Sequence, residues 1–140
     1  MLDGDSLVAV NPPQTDELEH LHSTLALLVE HHSRFGYRHF VVDHIWRSAA
    51  AIADLRSRLL AAVPGAEFRC FLLTLAADEN RRRIERRQRA RAIDEREFEL
   101  RTCTEEREIL ANDRNLGEPF DVSAPPPELV AAMLRRLALA

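Results

Sequence analysis

Apolar positions along the chain form two kinds of pattern, and each predicts a different element. Residues 68–75, FRCFLLTL, are apolar at six of eight positions without alternation, bounded by Val63-Pro64-Gly65 upstream and by the capping-type Asp78 downstream. A run of this kind predicts a strand covered on both faces, in a parallel sheet between helices. Leu18, Leu21, Leu25, Leu28, His32 and Phe35 instead recur three and four residues apart. That spacing predicts a helix with one buried stripe, started by Thr15 as N-cap with Asp16 and Glu17 in its first turn and stopped by Gly36.

The remaining elements follow from the same patterns. Leu2, Leu7, Val8 and Val10 suggest an edge strand before Asn11-Pro12-Pro13 interrupts regular structure. Phe40-Val41-Val42 reads as a second strand ended by Asp43. A helix then starts near Ser48, with Ile52, Leu55, Leu59 and Val63 on one face. Beyond 75, a helix from about Asp78 has Ile84 as its one large apolar residue. The pair Asp94 and Glu97 fits a capping box that opens the next helix, with Phe98, Leu100, Cys103, Ile109 and Leu110 as apolar positions and an end near Asn112. Phe120-Asp121-Val122 is a last short strand, and Pro125-Pro126-Pro127 opens a terminal helix with Leu129, Val130, Met133, Leu134 and Leu137 on one side. Together these predict one α/β domain over 1–140, a three-layer parallel sheet flanked by helices.

Charge changes this picture at one place. Arg81, Arg82, Arg83, Arg86, Arg87, Arg89 and Arg91 put seven guanidinium groups into eleven residues, immediately after the most apolar strand. Ligands of open α/β sheets sit beyond the carboxyl ends of the strands, so these arginines begin where a ligand is expected. They fit either a mobile lid over 78–93 closing on phosphates through bidentate forks, or a solvated helix laced to Glu79, Glu85, Asp94 and Glu95. The net charge of −4, with no aromatic residues among the arginines to stack bases, argues against nucleic acid as a partner.

All nineteen basic residues are arginine, and the four glycines are scattered. The chain therefore has no lysine for a Schiff base or a nucleotide phosphate, and no glycine-rich phosphate loop. Cys70 and Cys103 have no metal or redox spacing. The six histidines lack the i, i+4 pairing with a nearby glutamate that marks a helical zinc site; His20, His31 and His39 read as surface residues and His32 as a core-edge one. Trp46 reads as a packing residue. No run approaches the ~18 apolar residues of a membrane span, and the first residues lack the basic start of a secretory signal. These features predict a cytoplasmic protein with no membrane partner.

The order of elements resembles the P-loop small-molecule kinases, the group of gluconate, shikimate, adenylylsulfate and chloramphenicol kinases. Residues 2–7 (LDGDSL) look like the family's second strand with its substrate-side aspartate, 40–43 (FVVD) like its third, and 81–91 like its lid. FDVS at 120–123 followed by PELV at 127–130 is similar to its last strand and helix. The family's first strand, its Gly-rich loop ending in Lys-Ser/Thr and its first helix have no counterpart in this sequence. This is the expectation for a remnant or an N-terminally truncated relative.

The resemblance implies a parent activity, ATP-dependent phosphorylation of a small hydroxylated molecule, with ATP and Mg2+ as cofactors and this chain inactive by itself. It implies a catalytic role for Asp43, as base or holder of a magnesium-bound water, substrate binding by Asp5 and Arg101, and phosphate binding by Arg83, Arg87 and Arg91. Asp43 reads equally as a helix cap, and Asp3 with Asp5 as residues of a mobile N-terminus. The alternative function is a noncatalytic binding or regulatory module that pairs with itself, as a homodimer, or with another chain through the sheet edge left by the missing strand. In the family the missing strand lies between those of 40–43 and 68–75, and unpaired buried amides there would cost about 1 to 3 kcal/mol each. The chain must therefore pair these strands directly, take a strand from another molecule or fail to fold as a monomer; the expected outcome is direct parallel pairing of Val41-Val42 with residues 70–73.

Overall fold

The computed structural model describes residues 1–9, 16–87, 93–113 and 115–139, without the side chains of 87 and 93–96. The chain divides into two compact units, Met1–Arg69 and Cys70–Ala140.

In the first unit the chain forms β1 (Leu2–Asp3), α1 (Gly4–Val8), α2 (Glu17–Arg34), β2 (Val42–Asp43) and α3 (Ala49–Ala62). β1 and β2 pair in parallel, Leu2 opposite Val42 and Asp3 opposite Asp43. Strand alternation sends Leu2 and Val42 to the core side and the two aspartates to solvent. The edge strand expected over Leu2, Leu7, Val8 and Val10 stops at Asp3, because the Asp3 carboxylate accepts from the Asp5 and Ser6 amides and turns the chain into α1; Val10 lies outside the described residues.

α2 is capped by Asp16, whose carboxylate accepts from Glu19 N at 2.9 Å; the expected cap Thr15 and the break at Asn11-Pro12-Pro13 lie outside the described residues. Ser48 caps α3 as expected, its Oγ accepting from Ala51 N at 3.2 Å. The core is Leu21, Leu25 and Leu55, surrounded by Leu2, Leu7, Val8, Val42, Trp46, Leu59 and Phe68.

The buried face of α2 is Leu21, His22, Leu25 and Val29, whereas Leu18 and Phe35 at the ends of the expected stripe are 41% and 72% exposed. Leu18 lies in the first turn of α2 and Phe35 is the residue that caps its end, so both stand at the ends of the helix, outside its buried stretch from Leu21 to Val29.

The second unit contains β3 (Phe71–Thr74), α4 (Ala77–Arg87), α5 (Ile93–Asn112), β4 (Glu118–Asp121) and α6 (Pro126–Arg136). β3 and β4 pair in parallel from Phe71 opposite Glu118 to Thr74 opposite Asp121. The Phe71 and Phe120 rings meet edge-on at 5.9 Å, and Ile84, Leu116 and Phe120 are buried. Gly117 leads into β4 at φ +126°, where a side chain would also meet the Cys70 carbonyl oxygen at 2.9 Å. α5 begins at Ile93, so Asp94 lies inside the helix and not at its cap. α6 starts after Pro125 as expected, but none of its residues is buried, and Val130 is 59% exposed.

The expected three-layer parallel sheet is not formed. The strands make two separate two-stranded parallel sheets, and most of the described chain is helical. Residues 68–75 supply a strand over 71–74, none of the eight is fully buried, and Leu73 is 56% exposed. Direct pairing of Val41-Val42 with 70–73 is corrected too: β2 pairs with β1 and β3 with β4. Val41 is 60% exposed and Asp43 is exposed, so the edge of β2 is hydrated and can leave its backbone groups to water without a second strand.

Candidate functional site

Two clusters contain the residues singled out from the sequence, one in each unit. In the first unit, the parallel register brings Asp3 and Asp43 together at the carboxyl ends of β1 and β2. Asp3 is committed to α1: Oδ1 accepts from Asp5 N at 3.0 Å and Ser6 N at 3.4 Å, and Oδ2 accepts from Ser6 Oγ at 2.8 Å. The Ser6 hydroxyl above all, and then the two amides, hold the Asp3 carboxyl below its ordinary range. Asp43, the expected catalytic carboxylate, lies on the exposed face opposite Val42.

Asp5, the expected substrate ligand, instead contacts His44, Oδ1 to Nδ1 at 2.8 Å. Gly4 permits this approach by lacking a side chain, since a Cβ there would stand 2.7 to 2.9 Å from His44 side-chain atoms. The His44 ring also meets Trp46 edge-on at 5.1 Å.

Beneath this end of the strands lies a polar network absent from the sequence reading. His22 is fully buried, with Nδ1 2.7 Å from Asp54 Oδ2, while Trp46 Nε1–H donates to its Nε2 at 3.0 Å. Arg58 donates from Nε to Asp54 at 2.8 Å, and its two terminal nitrogens fork onto Glu19 at 2.8 and 2.6 Å. The His22 contact first, and then Arg58, lower the Asp54 pKa. Hydrogen bonds from Arg58 and Ser23 lower that of Glu19. The sequence signal for His22 was its place beside Leu21 on the Leu18–Leu25 face, together with an Asp54-Arg58 pair at i, i+4 on the next helix.

In the second unit the arginine helix is largely laced by its own charges. Arg82, Arg83 and Arg86 lie within 4.0 Å of Glu79, and Arg81 of Glu85. Arg83, expected on phosphate, donates Nη1 to Val122 O at 2.9 Å and Nη2 to Ser123 O at 3.0 Å, with Nε to Glu79 at 3.2 Å. This fork ties α4 to the chain leaving β4. Asp121 there accepts from Ser123 N at 2.7 Å, a bond that lowers its pKa.

Arg87 is the last residue of α4 and its side chain is not described; Arg91 lies outside the described residues. Arg101 is exposed on α5, its guanidinium 5.8 Å from the Phe98 ring and 4.0 Å from Glu105. Asp43 and Asp5 thus belong to the first unit, and Arg83 and Arg101 to the second. Ile84 is buried as expected, so the single apolar anchor and the Arg83 fork together hold α4. Replacing Arg83 with Gln is expected to raise amide hydrogen exchange across α4 and at Val122 and Ser123; unchanged protection would mean the fork carries none of that hold.

Of the residues that the resemblance assigns to substrate and phosphate, Asp5 and Arg83 are engaged within the protein, whereas the Arg87 side chain and Arg91 lie outside the described residues. Among the described residues no three His, Cys, Asp or Glu side chains are grouped to hold a metal, and Asp3 and Asp5 are already engaged. The sequence has no lysine for a nucleotide phosphate, and the Arg83 fork is occupied by backbone carbonyls. No described helix is long and apolar enough to cross a membrane. Comparison with known protein families, with curated proteins and with solved structures gives no match to this chain.

Proposed function

We propose that this chain is a relative of the P-loop small-molecule kinases that keeps substrate-side and lid-side elements and does not itself transfer phosphate. The observation that carries this reading is the pairing of strands. β1 with β2 and β3 with β4 are parallel pairs, each joined through helices, and the second edges of β2 and β3 have no strand partner among the described residues. A parallel strand pair joined through helices is what the resemblance implies for each of the two units taken separately. Substrate-side groups in this reading are Asp5 and Asp43, and the lid side is α4.

The backbone cradle and lysine that hold β and γ phosphates are absent from the sequence, so charge remains without a fixed anion site. Titration calorimetry with MgATP at low salt, with a phosphate-release assay beside it, is expected to show neither about micromolar affinity nor turnover. Either one would sink the proposal.

A further inference from the structure

The two ring nitrogens of His22 have partners with different tolerance of a proton. Trp46 Nε1–H can only donate, so His22 Nε2 is the acceptor and must be unprotonated where that bond exists. Its Nδ1 then carries the hydrogen and donates to Asp54. A second proton leaves the Asp54 bond intact and strengthens it by charge. At Nε2 the same proton sets one N–H against another, in a side chain with no exposure to water. Asp54 does not need the imidazolium as its counter-ion, because Arg58 already donates to the same oxygen, and Arg58 in turn is forked onto Glu19.

We propose that His22 and Trp46 form an acid-released latch: protonation of His22 at Nε2 breaks the Trp46 bond and frees the 44–47 segment from the α2–α3 pair. The His22–Asp54 bond stays closed, so the two helices remain joined while Trp46 leaves. His44 moves with Trp46, because its ring rests edge-on against the indole, and the Asp5–His44 contact at the ends of β1 and β2 loosens with it. Groups facing the latch are Glu19 and Ser23 on α2, Asp54 and Arg58 on α3, and His44 beside the indole. The inference uses only packing within the first unit and is independent of the kinase-like reading.

Trp46 is the only tryptophan, so its emission and its indole N–H resonance report the latch directly. Lowering pH from about 8 to about 5, across the range in which imidazoles titrate, is expected to red-shift the emission and remove the hydrogen-bonded indole resonance. The change should persist in His44→Asn and vanish in His22→Gln. A change abolished by His44→Asn, or retained in His22→Gln, overturns the proposal, as does an indole resonance that stays hydrogen-bonded at the acid end. Long-range nitrogen–proton correlation of the wild-type imidazole at the alkaline end needs no variant. It is expected to show His22 protonated at Nδ1 alone, and protonation at Nε2 would refute the latch.

Discussion

Leu25→Ala is expected to destabilise the first unit by about 2 to 5 kcal/mol, a large part of the ~5 to 15 kcal/mol that keeps a domain folded. Leu25 has no exposed surface and forms the core with Leu21 and Leu55, so truncation removes apolar contact and leaves a cavity walled by two helices. The helices cannot simply close on it. The Arg58 fork to Glu19 and the His22–Asp54 bond fix their spacing beside the cavity. Urea denaturation followed at Trp46, which packs against this core, measures the loss. A cost under about 1 kcal/mol would show that the core is not where the unit gets its stability.

Gly117→Ala should have the largest single effect in the second unit. At φ +126° an L side chain is strained by roughly 1 to 3 kcal/mol, and the added Cβ would lie 2.9 Å from the carbonyl oxygen of Cys70. That oxygen accepts from Glu118 N at 2.8 Å and so starts the β3–β4 pairing. Backbone must therefore shift where the register is set. Hydrogen exchange should report lost protection at Leu72 and Phe120 in the pair. Wild-type protection in the variant would mean that the approach of Gly117 to Cys70 is dispensable.

Local signals in the sequence were enough wherever one residue decides a boundary. Ser48 starts α3, Pro125 precedes α6, and Gly36 stands at positive φ directly after the C-cap of α2, while Gly65 does so in the turn that follows α3. Each is a property of a few backbone torsions or one side-chain hydrogen bond, so neighbours in sequence suffice. Asp16 took the place of Thr15 as cap because both residue types offer an acceptor at adjacent positions, and only the chain's entry into α2 selects between them.

The sheet was not legible, because an apolar run specifies that a segment wants cover and leaves open what covers it. Residues 68–75 carry the composition of a doubly covered strand, yet Leu73 is more than half exposed and the strand's partner is β4. The same limit applied to the arginines. Their density signalled an anion site, whereas the atoms nearest the Arg83 fork are Glu79 and the carbonyls of Val122 and Ser123, the latter some 40 residues away. A guanidinium binds a charged phosphate more strongly than a neutral carbonyl, but it can bond only the oxygens that the fold brings within reach.

Legible from the residues alone were the Ser48 and Pro125 starts of α3 and α6, the Gly36 stop of α2, the isolated Ile84 anchor of α4, and the lack in this sequence of a lysine and a glycine-rich loop for nucleotide phosphates. The strand partners, the buried face of α2, and the His22 network with Trp46, Asp54 and Arg58 came from tertiary packing. The reason is range: caps and turns are settled by forces acting over a few residues. A register or a buried hydrogen bond depends instead on groups roughly 20 to 50 positions apart, which meet only after the helices have packed.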